Sequence, residues 1–239
     1  MRTLALSLAL VPSIFVAVVE SQSTTILVPQ DFSSIQSAII AATDGDVVSV
    51  GPGTYTELVD FEGKDITVVS TDGPATTTID GLSQGSVVRF VNGEGPASRL
   101  EGFTITGGSS TFGGGVYCET SSPTVVDCWI TGNDAADGGN VGLFQSSGPV
   151  GFEGCIISDG FATASGGGIF ALDADLTLVD CQVISNFSID MGGGINLNLN
   201  GTGAIFGNEL ILDGCLIEGN ESAFYGGGMA VRSATATIT

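Results

Sequence analysis

Four acidic residues stand just before four regularly spaced cysteines in the second half of the chain. The acidic residues are Asp127, Glu153, Asp180 and Asp213, and the cysteines are Cys128, Cys155, Cys181 and Cys215. If equivalent positions stack one strand apart, the carboxylates repel one another unless a cation lies between them, and Ca²⁺ accepts such oxygens in flexible geometry. The alternatives are a Ca²⁺ site and a solvated acidic stripe, and the sequence favours the stripe. No other cofactor is indicated.

The cysteines permit disulfide, metal-binding or buried-thiol interpretations. Stacked strands place equivalent Cα atoms about 4.8 Å apart, and parallel Cα–Cβ bonds keep the Cβ atoms near that separation, beyond the roughly 3.5–4.5 Å of disulfides. A straight row of thiolates lacks tetrahedral geometry, and the chain contains no histidine to complete a zinc site. We therefore predict an inward column of buried thiols.

The elements that position these residues are repeats of about 26 residues. Units open at Gly113, Gly138, Gly166, Gly192 and Gly226, and each of the first four contains three short apolar pairs with a period of two. That period indicates strands, and a unit with one apolar face must stack on its neighbours to bury it. The sequence predicts an all-β, right-handed parallel β-helix of about six to seven coils with three short strands each.

Asparagines recur five positions after the cysteine in three of these units. They are Asn133, Asn186 and Asn220, and Gly160 holds the equivalent position in the remaining unit. Stacked asparagines at a turn bind one another and the local backbone, and they tolerate left-handed backbone angles. We interpret them as a structural ladder.

The first 46 residues precede the repeats. Residues 1–21 combine a basic start with an apolar run, which is typical of a signal peptide. This predicts a secreted, extracellular or outer-membrane-associated protein. We expect no direct membrane insertion by this chain. Residues 22–46 predict a cap made of a strand and an amphipathic helix, with Asp31 as its N-cap and Ile35, Ala38 and Ile39 on one face. Residues 47–239 form the predicted β-helix.

The composition limits the partners. A formal net charge of -21, with 37 glycines and 13% charged residues, gives an acidic surface that repels nucleic acid and anionic membranes. The register of the last unit predicts further C-terminal coils or an anchor domain.

Two resemblances support this architecture. The run GDVVSVGPGTYTE at 45–57, followed by KDITVVS at 64–70, resembles the first coils of pectin-lyase-like right-handed parallel β-helix proteins. The GGGI and C-x-I-x-x-N units resemble the GG-[AI] and F-x-x-N repeats of chlamydial-type polymorphic outer membrane proteins. The first implies a fold that carries many carbohydrate-active enzymes, and the second implies a surface protein.

The predicted function is an adhesin or a glycan-binding module without catalytic activity, whose partner is a polysaccharide or a cell-surface glycan. The alternative is a polysaccharide lyase or hydrolase. The resemblance to lyases requires a base, and Arg89, predicted to point outward between Val88 and Phe90, is a weak catalytic candidate. The longest step between units contains the candidate binding loop, with Asn198, Asn200, Thr202 and Asn208.

Overall fold

The computed structural model describes residues 23–198, 209–232 and 234–239. It consists of four parallel sheets, named A to D, that stack strand above strand along one axis. Each full coil visits sheets C, A, B and D in that order. The predicted signal peptide lies outside the described residues. None of the described helices is long and apolar enough to cross a membrane.

The strand bounds, within the described residues, are as follows. Sheet A contains β1 (Thr25–Val28), β2 (Val47–Val50), β5 (Thr67–Ser70), β8 (Arg99–Glu101), β12 (Thr124–Val126), β16 (Val150–Glu153), β20 (Leu176–Val179), β24 (Glu209–Asp213) and β28 (Thr235–Ile238). Sheet B contains β3 (Gly53–Thr56), β6 (Thr77–Asp80), β9 (Thr104–Thr106), β13 (Trp129–Thr131), β17 (Ile156–Ser158), β21 (Gln182–Ile184) and β25 (Leu216–Glu218). Sheet C contains β4 (Val59–Asp60), β7 (Val88–Phe90), β11 (Val116–Glu119), β15 (Val141–Phe144), β19 (Ile169–Leu172), β23 (Ile195–Asn198) and β27 (Met229–Arg232). Sheet D contains β10 (Ser109–Phe112), β14 (Asp134–Asp137), β18 (Phe161–Ala162), β22 (Phe187–Ser188) and β26 (Glu221–Ser222).

The predicted parallel β-helix is confirmed, with about eight turns. Period-two alternation buries one side of the central strands, so that Val116 and Cys118 are buried in β11 and Leu176 and Leu178 in β20. The count exceeds the six to seven predicted coils because β1 of the cap and β28 both join sheet A. The repeat cysteines lie one residue before the strands of sheet B rather than inside them, as Cys128 does before β13.

Sheet D is an additional strand layer that the period-two pattern does not predict. Its strands follow the asparagine turn, and the glycine run then leads back into sheet C. In all runs but the last, the middle glycine contacts the next coil's sheet D backbone: a Cβ at Gly139 would lie 2.6 Å from the carbonyl oxygen of Phe161. This middle position therefore excludes a side chain because another backbone passes directly over it.

The predicted cap is a strand, β1, and a helix, α1 (Ile35–Ala41). Ile35, Ala38 and Ile39 are buried as the helical spacing indicates. The N-cap is Ser34, whose hydroxyl accepts a hydrogen bond from the Ser37 amide at 3.2 Å. Asp31, which the sequence suggested, instead accepts from the Leu27 amide at 2.8 Å, because the chain makes an intervening turn before the helix begins.

Candidate functional site: a groove on the outer face of sheet C

Arg89 lies in the wall of a groove on the outer face of sheet C. As predicted from its neighbours, its side chain points outward while Val88 and Phe90 are buried, and 46% of that side chain is exposed. The cavity has a volume of about 310 Å³. It is lined by Leu58, Gln84, Gly85, Ser86, Arg89, Ser110, Thr111, Phe112 and Tyr117.

A carboxylate on the neighbouring strand faces Arg89. Asp60 lies beside Arg89 in the register of β4 and β7, and its Oδ2 is 3.9 Å from the Arg89 Nε. Asp60 Oδ1 accepts hydrogen bonds from the Asn92 side-chain amide at 3.0 Å and from the Glu62 backbone amide at 2.9 Å. These two donors orient the carboxylate, and its contact with the half-exposed guanidinium is a long ion pair rather than a close bidentate one.

Tyr117 follows Arg89 in the next rung of the same outward column. Burial, followed by a hydrogen bond to Glu119, raises the pKa of Tyr117 to about 12. The phenol is therefore protonated at neutral pH, with its hydroxyl paired with Glu119. Ser86 and Ser110, whose hydroxyls are 3.1 Å apart, also line the groove. Such a mixture of an aromatic ring, hydroxyls and one guanidinium suits a polar ligand with apolar ring faces.

An aromatic cluster continues the groove along the helix axis. Phe112 and Phe144 meet at 4.4 Å between ring centroids, Tyr117 and Phe144 at 6.0 Å, and Phe144 and Phe170 at 5.6 Å. Gly142 lies between Tyr117 and Phe170 in the outward column, and a Cβ there would lie 2.5 Å from the Gly113 backbone nitrogen, so the chain after Phe112 passes where a side chain would stand. Sequence reasoning missed this cluster because residues from different coils and sheets form it.

Of the candidate binding loop, only Asn198 lies among the described residues. Asn200, Thr202 and Asn208 fall outside them. Asn198 ends β23 and borders a second cavity of about 470 Å³, also on the outer face of sheet C. The structure thus places one predicted loop residue on the same face as Arg89.

The four candidate calcium residues do not form one column, in contrast to the premise of the sequence argument. Strand register pairs Glu153 with Val126 and Val179, and Val179 with Asp213, so that acidic and apolar residues alternate in this column. The next position along the chain is Asp127 or Asp180 in two coils and Gly154 or Gly214 in the other two. All four residues have positive φ. Like charges within a column are thus about two rungs, roughly 9.6 Å, apart. Between the two columns, backbone hydrogen bonds bring Asp127 next to Glu153 (2.9 Å) and Asp180 next to Asp213 (2.8 Å). Within the described chain, no group of three potential metal ligands is present.

The asparagine ladder has four members, of which the sequence identified three. Asn133 donates to the Asn140 side-chain oxygen at 2.9 Å, Asn140 to that of Asn186 at 3.0 Å, and Asn186 to that of Asn220 at 2.9 Å. Asn140 replaces the third glycine of a glycine run, and its carboxamide occupies the space beside Gly160. The ladder therefore stays continuous in the one coil where the repeat position is glycine.

The cysteine column is present, with all five cysteines free. Cys118, Cys128, Cys155 and Cys181 are buried, whereas Cys215 is only partly buried, which corrects the prediction that the whole column faces a closed core. The thiols donate to backbone carbonyls of the preceding coil, as Cys181 does to Phe152 at 3.3 Å. Burial raises the pKa of Cys128 to about 12.

The comparisons with known proteins identify the fold. No family model and no curated protein matches the chain. Among solved structures, the deglycosylated pectin methylesterase from Aspergillus niger matches with a TM-score of 0.52 and 13% identity, covering 92% of this chain and 81% of that chain. The chain has the pectin-lyase-like β-helix fold. The same enzyme in a penultimately deglycosylated form matches with a TM-score of 0.43 and 14% identity, covering 92% of this chain and 84% of that chain. The resemblance to polymorphic outer membrane proteins gains no support from these comparisons.

The motif that carried the resemblance to pectin-lyase-like proteins has a structural role in this chain. Within GTYTE, the Tyr55 hydroxyl donates to the Gly51 carbonyl at 2.9 Å, and the Glu57 carboxylate accepts from the Ile35 and Gln36 amides, both at 2.9 Å. Lys64 donates to the carbonyls of Ile39, Ile40 and Ala42 at 2.7–2.8 Å. Opposite charges from the first coils thus hold the two ends of the cap helix, in agreement with its dipole.

Proposed function

We propose that this protein is a secreted glycan-binding β-helix, an adhesin or surface-binding module that holds a polysaccharide in the groove beside Arg89 and Tyr117. The observation that carries the proposal is the composition of this groove, where one half-exposed guanidinium, several hydroxyls and the Phe112 and Tyr117 rings converge. Sugar hydroxyls donate hydrogen bonds to such groups and accept hydrogen bonds from them, and ring oxygens accept hydrogen bonds. The apolar face of a sugar ring packs on an aromatic side chain.

The charge of the chain indicates which polysaccharide to test first. A net charge of -21 repels polyanions at low ionic strength, and Arg89 already faces the Asp60 carboxylate. The similar enzyme of known structure is named for methyl-esterified pectin, whose esterified carboxyl groups are uncharged. Highly methyl-esterified pectin therefore fits this groove better than a fully ionised polyuronate.

Affinity electrophoresis in gels that contain highly methyl-esterified pectin tests the proposal. We expect the wild-type chain to be retarded, and Arg89→Gln and Tyr117→Ala to weaken retardation by roughly tenfold, because each removes one polar or ring contact. Arg99→Gln is the matched control: Arg99 lies on sheet A and binds Glu101 at 2.9 Å, away from the groove. Equal retardation of all variants, or none of the wild type, would contradict glycan binding at this site.

A second candidate function is ester hydrolysis, and the Asp60–Arg89 pair is the observation that favours it. The Asp60 carboxylate, which two hydrogen-bond donors orient, is a candidate nucleophile or base. The Arg89 guanidinium beside it is a group that stabilises developing negative charge. Methanol release from methyl-esterified pectin tests this function. Activity that disappears in Asp60→Asn and persists in Arg99→Gln would establish the esterase, and its absence at high protein concentration would leave binding alone.

A further inference from the structure

A stacked pair of phenylalanine rings lies on the outer face of sheet D. Phe161 begins β18 and Phe187 begins β22, and their rings are 5.9 Å apart between centroids, with 6° between the ring planes. Phe161 is 37% exposed, Phe187 is half-buried, and the nearby Ile189 is 40% exposed. Single apolar side chains are ordinary on a protein surface, whereas a contiguous group of them indicates an interaction site.

Strand register places a carboxylate at each end of this ring pair. In the outward column of sheet D, Asp134 precedes Phe161, and Glu221 follows Phe187. Both acidic residues are exposed. They are three rungs apart, which corresponds to about 14 Å at the usual strand spacing. We call Asp134, Phe161, Phe187, Ile189 and Glu221 the sheet D patch, because they form an apolar centre between two negative ends.

The positive charges of the described chain lie away from this patch. They are Lys64 at the cap helix, Arg99 on sheet A, and Arg89 and Arg232 on sheet C. Neither carboxylate of the sheet D patch forms an ion pair within the described chain. The acidic residues on sheet D or within three residues of its described strands are Asp134, Asp137, Asp159, Asp190, Glu218 and Glu221. The partner that complements this patch in charge is therefore basic.

The ends of the ring pair suit a cationic side chain. Two parallel rings cover only one face of each other, so each ring keeps a second face toward the carboxylate at its end. A guanidinium or ammonium gains both from an aromatic face and from a nearby carboxylate. Small ligands bind in concave pockets, whereas this patch lies on the outer face of a sheet. A protein segment with cationic side chains fits it better than a small cation.

We infer that the sheet D patch docks an extended basic segment of a partner protein. Residues i, i+2 and i+4 of an extended chain face the same side, and residues i and i+4 are about 13–14 Å apart. This span matches the separation of Asp134 and Glu221, so that cationic side chains at i and i+4 meet the two carboxylates. An apolar residue at i+2 then packs on Phe161 and Phe187. The surface is separate from the Arg89 groove, and the inference does not rest on the proposed function.

Fluorescence anisotropy of the full chain with two labelled peptides tests the spacing. One peptide contains the run Arg-Ser-Leu-Ser-Arg, and the other has the same composition in the order Arg-Arg-Leu-Ser-Ser. We expect the first peptide to bind about tenfold more tightly, because only its two arginines reach both carboxylates from one side of the strand.

Variants of the chain test the location. Phe161→Ser and Glu221→Gln should each weaken binding of the Arg-Ser-Leu-Ser-Arg peptide about tenfold. The matched controls are Leu27→Ser and Glu209→Gln, which change an exposed apolar and an exposed acidic side chain on sheet A. Both controls should bind this peptide as the wild type does. Circular dichroism of the variants checks that the fold is retained.

Three outcomes would overturn the inference. Equal affinity for the two peptides, or an equal loss in the control variants, would show only the general attraction of an acidic chain for cations. Binding of neither peptide would exclude a basic segment as the partner. A wild-type dimer in sedimentation velocity that Phe161→Ser dissociates would assign the sheet D patch to a second copy of the chain instead.

Discussion

The carboxamide of Asn140 occupies the space that a side chain at Gly160 would need, although the two residues are 20 positions apart within one repeat unit. A Cβ at Gly160 would clash with Asn140 Nδ2, while that same nitrogen donates to the Ser158 carbonyl at 2.8 Å and to Asn186 Oδ1 at 3.0 Å. The two departures from the repeat thus compensate each other, and the buried amide ladder remains satisfied.

Exchanging these two residues should show this compensation directly. Asn140→Gly should cost about 1–3 kcal/mol of unfolding free energy, since it removes partners from the buried side chains of Asn133 and Asn186. Gly160→Asn should cost at least as much because the new side chain collides with Asn140. The double variant restores the pattern of the other coils and should regain most of the loss. Urea denaturation of the four proteins measures the coupling, and strictly additive changes would refute it.

Ser188 should be a site of stabilisation. Its hydroxyl is fully buried in sheet D and, of the buried side-chain oxygens and nitrogens in the described chain, is the one without a hydrogen-bond partner. Its rung neighbour is Ala162, so Ser188→Ala continues the existing packing and should raise the unfolding free energy by about 1 kcal/mol. The matched control is Ser222→Ala, whose hydroxyl donates to the Asp190 carbonyl at 2.8 Å, and which should destabilise instead. A loss of stability in both variants would show that Ser188 has a partner after all.

Acid should loosen the N-terminal cap through Asp46. Its carboxylate accepts from the Thr43 and Thr24 amides and from the Thr43 hydroxyl at 2.7–2.9 Å, and these bonds lower its pKa from 3.8 to about 2. Because the folded-state pKa is the lower one, the stabilisation is fully present above about pH 4 and is lost as the pH falls through about 2. The difference in thermal midpoint between wild type and Asp46→Asn should therefore shrink from pH 5 to pH 2. Parallel pH profiles for the two proteins would exclude this role.

The cysteines should differ in reactivity along their column. Burial raises the pKa of Cys118 well above 9.0 and that of Cys128 to about 12, and the hydrogen bond with Cys181 together with burial raises that of Cys155. Cys215 is partly buried, and burial raises its pKa. The hydrogen bond with Cys155 lowers the pKa of Cys181, but this thiol is only 1% exposed and is therefore shielded from reagents. Timed alkylation followed by peptide mass spectrometry should label Cys215 first and the other thiols only in denaturant. Early labelling of Cys128, or a disulfide between coils, would contradict this order.

The sequence by itself determined the coil. Alternation with a period of two selects the inward residues, and the repeat length fixes which residues stack, so that the Cys128 and Asn133 columns and the outward position of Arg89 follow from local pattern alone. The amphipathic spacing likewise located the cap helix, although Ser34 rather than Asp31 begins it, since a cap depends on where the preceding turn ends.

The tertiary structure decided whatever depends on neighbouring coils. Three features each involve residues from adjacent rungs. They are the alternation of Glu153 with Val126 and Val179, the entry of Asn140 into the ladder, and the contact between the Phe112 and Phe144 rings. The period of a single unit carries no information on such pairs, because they are set by the register between strands and by the space that a missing side chain leaves. For this reason the outward position of Arg89 followed from the sequence, while the aromatic cluster beside it appeared only when the coils were stacked.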